Sequence, residues 1–583
     1  MNKIITSIFL FALLGSFADI SAKQISDNKT ADGWKFHAGE GKDSLWFSST
    51  YKDGSWKAAL ASKTLAEQGL STQNGYGWYR KGMVFSRQEA EAISRSGAAV
   101  LRLGRFASSD EVFINGQLIG KTGDFPDNFT GYNDESRTYF IPAESLLLNK
   151  ENLIAIKFHD GWGQGGFFEG AKFSISAATE NDKILMDVNV PDPDYVFLGK
   201  QSLAVNPVIT NKNTVAVKGQ INVILMGDNY RPVKTETMEV SLAPGEKLSK
   251  IFEYSKPFPG FYRYDIQFIK EGKVICQKKL NVGYEPERIS SPNDEKADFD
   301  AFWKNNLSEL AKVAPEYKLT LIPEESNQDY NLFLVEMKSF NNETIRGYYA
   351  QPKRTGKFPV IVEYMGYGSG PYLPNRSWDG FAYFILSVRG QALNKPYNTY
   401  GTWITSGADN KDTYYYRGAY MDLIRAIDFV CSRAEIDTTK IAARGASQGG
   451  AFTIAAASLD KRIKVAVPMI PFLSDFRDYF TIAPWPKSDF DNYMQQHPNA
   501  NWADIFDMLS YFDVKNLASR ITCPVMMGFG VQDNVCPPHI NFAAYNQIHS
   551  EKQWRAGALF GHSTGKVFAN ESYRFIKAKL DVK

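Results

Sequence analysis

Residues 441–458 read IAARGASQGGAFTIAAAS. The opening IAAR is short and mainly apolar, as a buried strand would be, and 451–458 is a run of small and apolar residues suited to a helix packed hard against a sheet. Between them stand Gly445-Ala446-Ser447-Gln448-Gly449, a Gly-x-Ser-x-Gly motif. A strand that turns directly into a helix carries its middle residue on a sharp turn, so the Ser447 hydroxyl would project from the sheet edge. Gly445 and Gly449 stand where a Cβ would obstruct the close approach of strand and helix. Ser447 is therefore a candidate nucleophile, and the domain around it should be α/β.

The flanking sequence has the same grammar. Apolar runs at 359–364, 381–388, 465–470 and 524–529 alternate with helical segments. Tyr420, Leu423, Ile424, Ile427 and Cys431 recur at helical spacing and mark one apolar face. Strands alternating with helices imply βαβ units and a mainly parallel sheet covered on both faces, an α/β-hydrolase domain over 290–583.

A serine hydroxyl attacks only when a base removes its proton, so a histidine oriented by a carboxylate is required. There are six histidines. His37 and His159 fall in upstream β-like sequence, which leaves His497, His539, His549 and His562. In this fold the order is serine, acid, histidine, with acid and base on loops after later strands. Asp533 follows the run 524–529, and His562 follows 554–560, so both stand where the order requires. His539 is the rival base, six residues after Asp533 behind Pro537-Pro538, at the start of the next helix where a surface or packing role is expected. Asp513 is the alternative acid, although it precedes the last strand pair. For the oxyanion, the backbone N–H of Gln448 is the first candidate donor. The second should come from the loop Met365-Gly366-Tyr367-Gly368-Ser369-Gly370, where Tyr367 could offer its N–H or its hydroxyl.

Upstream, residues 25–180 show short β-like runs, with Asn115-Gly116 a type I′ hairpin signal because both central positions need positive φ. Residues 184–285 alternate apolar and polar positions between proline-rich turns, as in an immunoglobulin-like sandwich, and read as a spacer. Two all-β sandwich modules thus precede the hydrolase domain. In the first, the stretches DEVFINGQLIGKTG, RTYFIPAESLLL and ENLIAIKFHDGWGQGGFFEG resemble jelly-roll, galactose-binding-like modules of multidomain glycosidases and sialate O-acetylesterases. Its aromatic, glycine-rich loop 162–168 is a sugar-binding candidate or, equally, a cap on the sandwich.

At 583 residues the chain is too long for one core. Lys and Arg number 66 against 64 Asp and Glu, a balance that disfavours nucleic acid or an anionic membrane surface as partner. Residues 1–22 have a charged start, a short apolar run and small residues with candidate cleavage points after Ala18 or Ala22, as a signal peptide does. No other stretch is long and apolar enough to span a membrane. The mature chain is expected to be exported, periplasmic or secreted. The four cysteines, Cys276, Cys431, Cys523 and Cys536, are too scattered for a disulfide framework or a thiolate metal site, with Cys523 and Cys536 the one pair left open.

YMGYGSG at 364–370, SVRGQ at 387–391, DTYYYRGAYMDLIRAI at 412–427, GASQGG at 445–450 and DNVCPPHINFAAYN at 533–546 together resemble the acetyl xylan esterase and cephalosporin C deacetylase family, carbohydrate esterase family seven. The resemblance implies Ser447 as nucleophile, Asp533 as acid, His562 as base and Tyr367 with the Gln448 N–H as oxyanion hole. Arg389 and Gln391 would brace the site. It also implies a homo-oligomer, a hexameric ring that the long β region ahead of the hydrolase would block or remodel, and an acetylated carbohydrate as substrate. No metal or organic cofactor is called for. Where the family has Glu after the histidine, this chain has Ser563. The rival readings are a peptidase of the prolyl oligopeptidase type, in which β modules also precede the hydrolase, and a glycan-binding protein without activity.

Overall fold

The computed structural model describes residues 33–41, 45–73, 75–106, 109–125, 136–160, 166–168, 171, 173–375 and 377–582. The expected signal peptide at 1–22 and residues 162–165 of the aromatic loop lie outside that set. The chain forms two compact units, Met1–Ile184 and Leu185–Lys583.

In the first unit, a six-stranded antiparallel sheet runs in the order Lys57–Ala59, Trp34–Ala38, Tyr76–Met83, Asn152–His159, Ser109–Ile114, Gln117–Thr122. A second sheet of three strands is centred on Ala98–Arg105. The tight turn between Ser109–Ile114 and Gln117–Thr122 holds Asn115 at φ 52° and Gly116 at φ 88°, the combination that a two-residue hairpin with matching twist requires. From the aromatic loop, Phe167 is fully buried among Trp34, Tyr79 and Phe106. That residue serves the core.

The second unit begins with a five-stranded sheet ordered Val196–Phe197, Lys273–Tyr284, Gly260–Lys270, Val217–Gly227, Pro232–Leu242, accompanied by a smaller sheet around Ser202–Asn211. This β region packs directly on the α/β domain. Val196 and Phe261 share an apolar cluster with Phe529, Phe542 and Tyr545.

The α/β domain is built on nine strands: β1 (Lys318–Leu321), β2 (Tyr330–Lys338), β3 (Thr344–Pro352), β4 (Phe358–Tyr364), β5 (Ala382–Ser387), β6 (Ile436–Ala446), β7 (Ile463–Met469), β8 (Val525–Gly530) and β9 (Lys552–Gly557). Their order is β1-β2-β3-β5-β4-β6-β7-β8-β9, antiparallel through β3 and β5 and parallel from β5 onward. Every residue of β5 and of β8 is buried, as strands covered by helices on both faces must be. The chain leaves β4 to one side for β5 and returns to the other for β6. The crevice beyond the carboxyl ends of β4 and β6 is therefore a topological switch point, where open α/β sheets bind ligands. Helix α1 (Tyr415–Cys431) and helix α2 (Gln448–Leu459) pack on the sheet, and α2 is buried from Gln448 to Ser458. Helices α3 (Pro538–Asn546) and α4 (Gly565–Lys579) follow β8 and β9. Among the described residues, no helix is long and apolar enough to cross a membrane.

Candidate active site

β6 runs into α2 through Ser447, which is held at φ 60° and ψ −120°. A non-glycine residue costs roughly 1–3 kcal/mol in such a conformation, so the surroundings must impose it. They do so through backbone bonds: Ser447 N donates to the Met469 carbonyl at 2.9 Å, and the Ser447 carbonyl accepts from Phe472 N at 3.1 Å. The flanking glycines permit the turn. A Cβ on Gly445 would lie 2.5 Å from the Gly449 carbonyl oxygen, and one on Gly449 would lie 2.0 Å from that of Tyr364. Neither contact is survivable, which is why the turn reads Gly-x-Ser-x-Gly.

Asp533 and His562 arrive on the loops after β8 and β9. The Asp533 side chain is fully buried, and its Oδ2 lies 2.8 Å from His562 Nδ1. The other carboxylate oxygen accepts the backbone N–H groups of Val535 at 2.7 Å and Cys536 at 2.9 Å. Burial alone would lower the His562 pKa, but the adjacent Asp533 carboxylate favours the imidazolium, and the net shift is upward. With Nδ1 committed to Asp533, the interaction of the ring with the Cys536 thiol falls to Nε2.

Cys536 completes this corner. Its sulfur is buried, lies 3.9 Å from Ser447 Oγ and interacts electrostatically with His562. Cys523 and Cys536, the pair left open by the sequence, do not pair, and all four cysteines are free. The place of Cys536 three residues after Asp533, closing the turn on the carboxylate, was the available signal.

Beneath the serine, the carboxamides of Gln391 and Gln448 face each other, each Nε2 3.1 Å from the other's Oε1. Gln448 Oε1 also accepts from the Tyr416 hydroxyl at 2.9 Å, and Gln391 Oε1 accepts the Gly368 N–H at 3.2 Å. Gln391 thus ties the 365–370 loop to the start of α2. Arg389 is buried in a bidentate pair with Asp422, at 2.9 and 2.7 Å, and reaches Glu343 at 3.1 Å. It is a brace, far from free to react. The Tyr367 ring packs among Trp403, Phe472 and Trp485, and burial pushes its hydroxyl pKa up to about 12. Tyr367 thus stands on the 365–370 loop with both its N–H and its hydroxyl as candidate oxyanion donors.

The rival residues go elsewhere. His539 opens α3 and pairs through Nδ1 with Asp228 of the β region at 2.8 Å, while Nε2 faces Asp478 at 3.4 Å and Asp475 at 3.8 Å. Asp475, Asp478 and His539 could in principle hold a cation, but Lys515 and Ser291 already bond Asp475 at 3.1 and 2.7 Å. Asp513 accepts the backbone N–H groups of Asp475, Phe476 and Lys515 and braces that loop. His497 stacks on Tyr493, and His549 is exposed. Ser563 accepts the Gly565 N–H at 3.2 Å near the start of α4.

His539 carries a pH prediction. Burial would lower its pKa, but Asp228, Asp478 and Asp475 outweigh that and raise it to about 10. Since the folded value lies above the ordinary ~6.5, its stabilisation is complete below about pH 6.5 and is lost as pH rises toward 10. The stability difference between wild type and His539→Gln should be largest near pH 6. It should shrink by on the order of 1–3 kcal/mol by pH 9.5, measured by urea unfolding of the whole chain.

The family model described as acetyl xylan esterase (AXE1) matches residues 285–579, just over half of the chain. An acetyl esterase, Axe7A, of Xylanibacter ruminicola is 29% identical over 349 residues, covering 56% of this chain and 76% of that protein. Among solved structures, the acetyl xylan esterase of Paenibacillus sp. R4 is 32% identical, covering 50% of this chain and 98% of its own, with a TM-score of 0.46. Acetyl xylan esterase 1 of Thermoanaerobacterium sp. JW/SL YS485 is 27% identical, covering 50% and 97%, with a TM-score of 0.45. With that match falling on the domain that presents Ser447 at its strand-to-helix turn, the chain belongs to the acetyl xylan esterase family and is a carboxylic ester hydrolase of the α/β-hydrolase class.

Proposed function

We propose that the chain is an exported serine esterase that removes O-acetyl groups from acetylated polysaccharides or oligosaccharides through Ser447, His562 and Asp533. The observation that carries the reading is the 2.8 Å contact between Asp533 Oδ2 and His562 Nδ1 in the loops beside the strained Ser447 turn. Ser447 Oγ attacks the acetyl carbonyl carbon as His562 Nε2 takes the hydroxyl proton, and the tetrahedral oxyanion is held by the N–H groups of Gln448 and Tyr367. His562 then passes that proton to the departing sugar oxygen, which leaves an acetyl-serine. Water, deprotonated by the same imidazole, attacks the acetyl carbon and releases acetate, and the proton returns to Ser447 Oγ. Asp533 keeps Nδ1 protonated throughout and stabilises the imidazolium. The Gln448 N–H suits the oxyanion because the first N–H groups of a helix have no intrahelical acceptor.

The export signal is assigned to 1–22, a jelly-roll, galactose-binding-like module to 25–180, an immunoglobulin-like sandwich to 184–285 and the catalytic domain to 290–583. The aromatic surround of Tyr367 suits a small acyl group and the apolar face of a sugar. The test is acetate release from a panel of acetylated xylans, mannans, pectins and sialosides, with proline-directed peptide amides as a control. Acetate from at least one glycan and no amide cleavage is expected; amide cleavage without acetate release would refute the assignment.

Gln391→Leu probes the oxyanion side. It would leave Gln448 Nε2 and the Gly368 N–H without their acceptor, so kcat for 4-nitrophenyl acetate should fall about 100-fold with KM little changed. Unfolding stability should drop by about 2 kcal/mol.

A further inference from the structure

We propose that the β region spanning 185–285 is a positioning element for the catalytic acid, holding the Asp533 loop through Asn281 and Arg263; the inference rests on the triad reading above. The loop between β8 and α3 carries Asp533, and each of its polar neighbours on either side is tied to that region. Asn281 N donates to Gln532 Oε1 at 2.7 Å, Gln532 Nε2 returns a bond to the Asn281 carbonyl at 3.0 Å, and Asn281 Nδ2 reaches the Val531 carbonyl at 3.3 Å. On the other side, Arg263 Nη1 donates to Asn534 Oδ1 at 3.1 Å. The guanidinium is itself fixed, donating through Nε to the Asp228 carbonyl at 3.0 Å and lying 4.3 Å over the Tyr230 ring. Phe261, on the same strand, packs on Phe529 of β8 and Phe542 of α3, the two elements that anchor the loop.

Gln532 extends the clamp to the base. Its Nε2 also donates to the Ala558 carbonyl at 2.7 Å, and its backbone N–H to the Phe560 carbonyl at 2.9 Å, both in the segment leading to His562. One side chain therefore joins the β region, the acid loop and the histidine loop. The Asp533 carboxylate takes its direction from the N–H groups of Val535 and Cys536, so its aim at His562 depends on the backbone path that Asn281 and Arg263 restrain. A misplacement of about 1 Å in such a group costs roughly 100-fold in rate.

The experiment uses the full chain bearing Asn281→Ala, which cuts the side-chain bond to the Val531 carbonyl, with Arg263→Ala, which cuts the bond to Asn534, and Arg263→Lys as the conservative partner. Steady-state kinetics on 4-nitrophenyl acetate across pH and thermal unfolding are read for each, in the wild-type and the Asp533→Asn backgrounds. The expected result is a fall in kcat of about 10- to 100-fold with KM unchanged, the acid limb of kcat/KM moved to lower pH, and partial recovery in Arg263→Lys. In the Asp533→Asn background the same pair should lower kcat no further, because the carboxylate they aim is gone. An equal fall in both backgrounds, or an unchanged kcat and acid limb in a variant with lowered Tm, would overturn the positioning role and leave the β region as packing. Full activity in Asp533→Asn alone would strike the acid assignment itself, a separate failure visible before the clamp variants are made.

Discussion

Replacement of Ser447 by alanine should lower kcat for 4-nitrophenyl acetate by about 10⁵- to 10⁶-fold, because in the proposed mechanism attack, acyl transfer and release all pass through its hydroxyl. The fold should survive: alanine meets the same backbone conformation, φ 60° and ψ −120°, that serine already occupies. Ser447→Gly separates chemistry from strain. It should be as inactive as Ser447→Ala yet more stable by about 1 kcal/mol, since glycine tolerates positive φ that other residues do not. Acetate release and urea unfolding on the same preparations check both statements. A glycine variant less stable than the alanine variant would show that the turn stores no strain.

Asp533→Asn should cost about 10⁴-fold in kcat, as the amide cannot hold His562 in the tautomer that leaves Nε2 free to accept a proton. It should also move the pH profile in a definite direction. His562 works as a base only when neutral, so kcat/KM falls as pH drops through its pKa. Asp533 raises that pKa, so removing the carboxylate's charge should shift the acid limb to lower pH. The residual rate of Asp533→Asn would then fade at a lower pH than wild type does. A limb that stays in place would mean that another carboxylate faces the imidazole.

Most of the α/β domain was legible locally. The buried runs, the helical face from Tyr420 to Cys431 and the Gly-x-Ser-x-Gly turn each carry their signal within a few residues, because a strand, a helix and a sharp turn are short-range structures with fixed periods. Asp533 and His562 were picked out by order along the chain, and the structure brings them within 2.8 Å of each other, since loops after successive parallel strands collect at one end of a sheet. Cys536, Asp422 and Tyr416 were not. Their roles come from contacts with residues 89, 33 and 32 positions away, and no local pattern encodes such partners. His539 shows the same limit: its main partner, Asp228, is 311 residues upstream.

By itself the sequence of this chain determined the class of chemistry and singled out the three side chains we propose for it, because a nucleophile needs a turn of particular shape and a base and acid in a particular order. Only the tertiary structure decided how those groups are held. It placed Cys536 against both serine and histidine, closed the carboxamide pair of Gln391 and Gln448 beneath the turn, and brought Asn281 and Arg263 onto the acid loop. The physical reason is that a reactive residue type is a local property, whereas its direction, hydration and protonation are set by whatever the fold packs beside it.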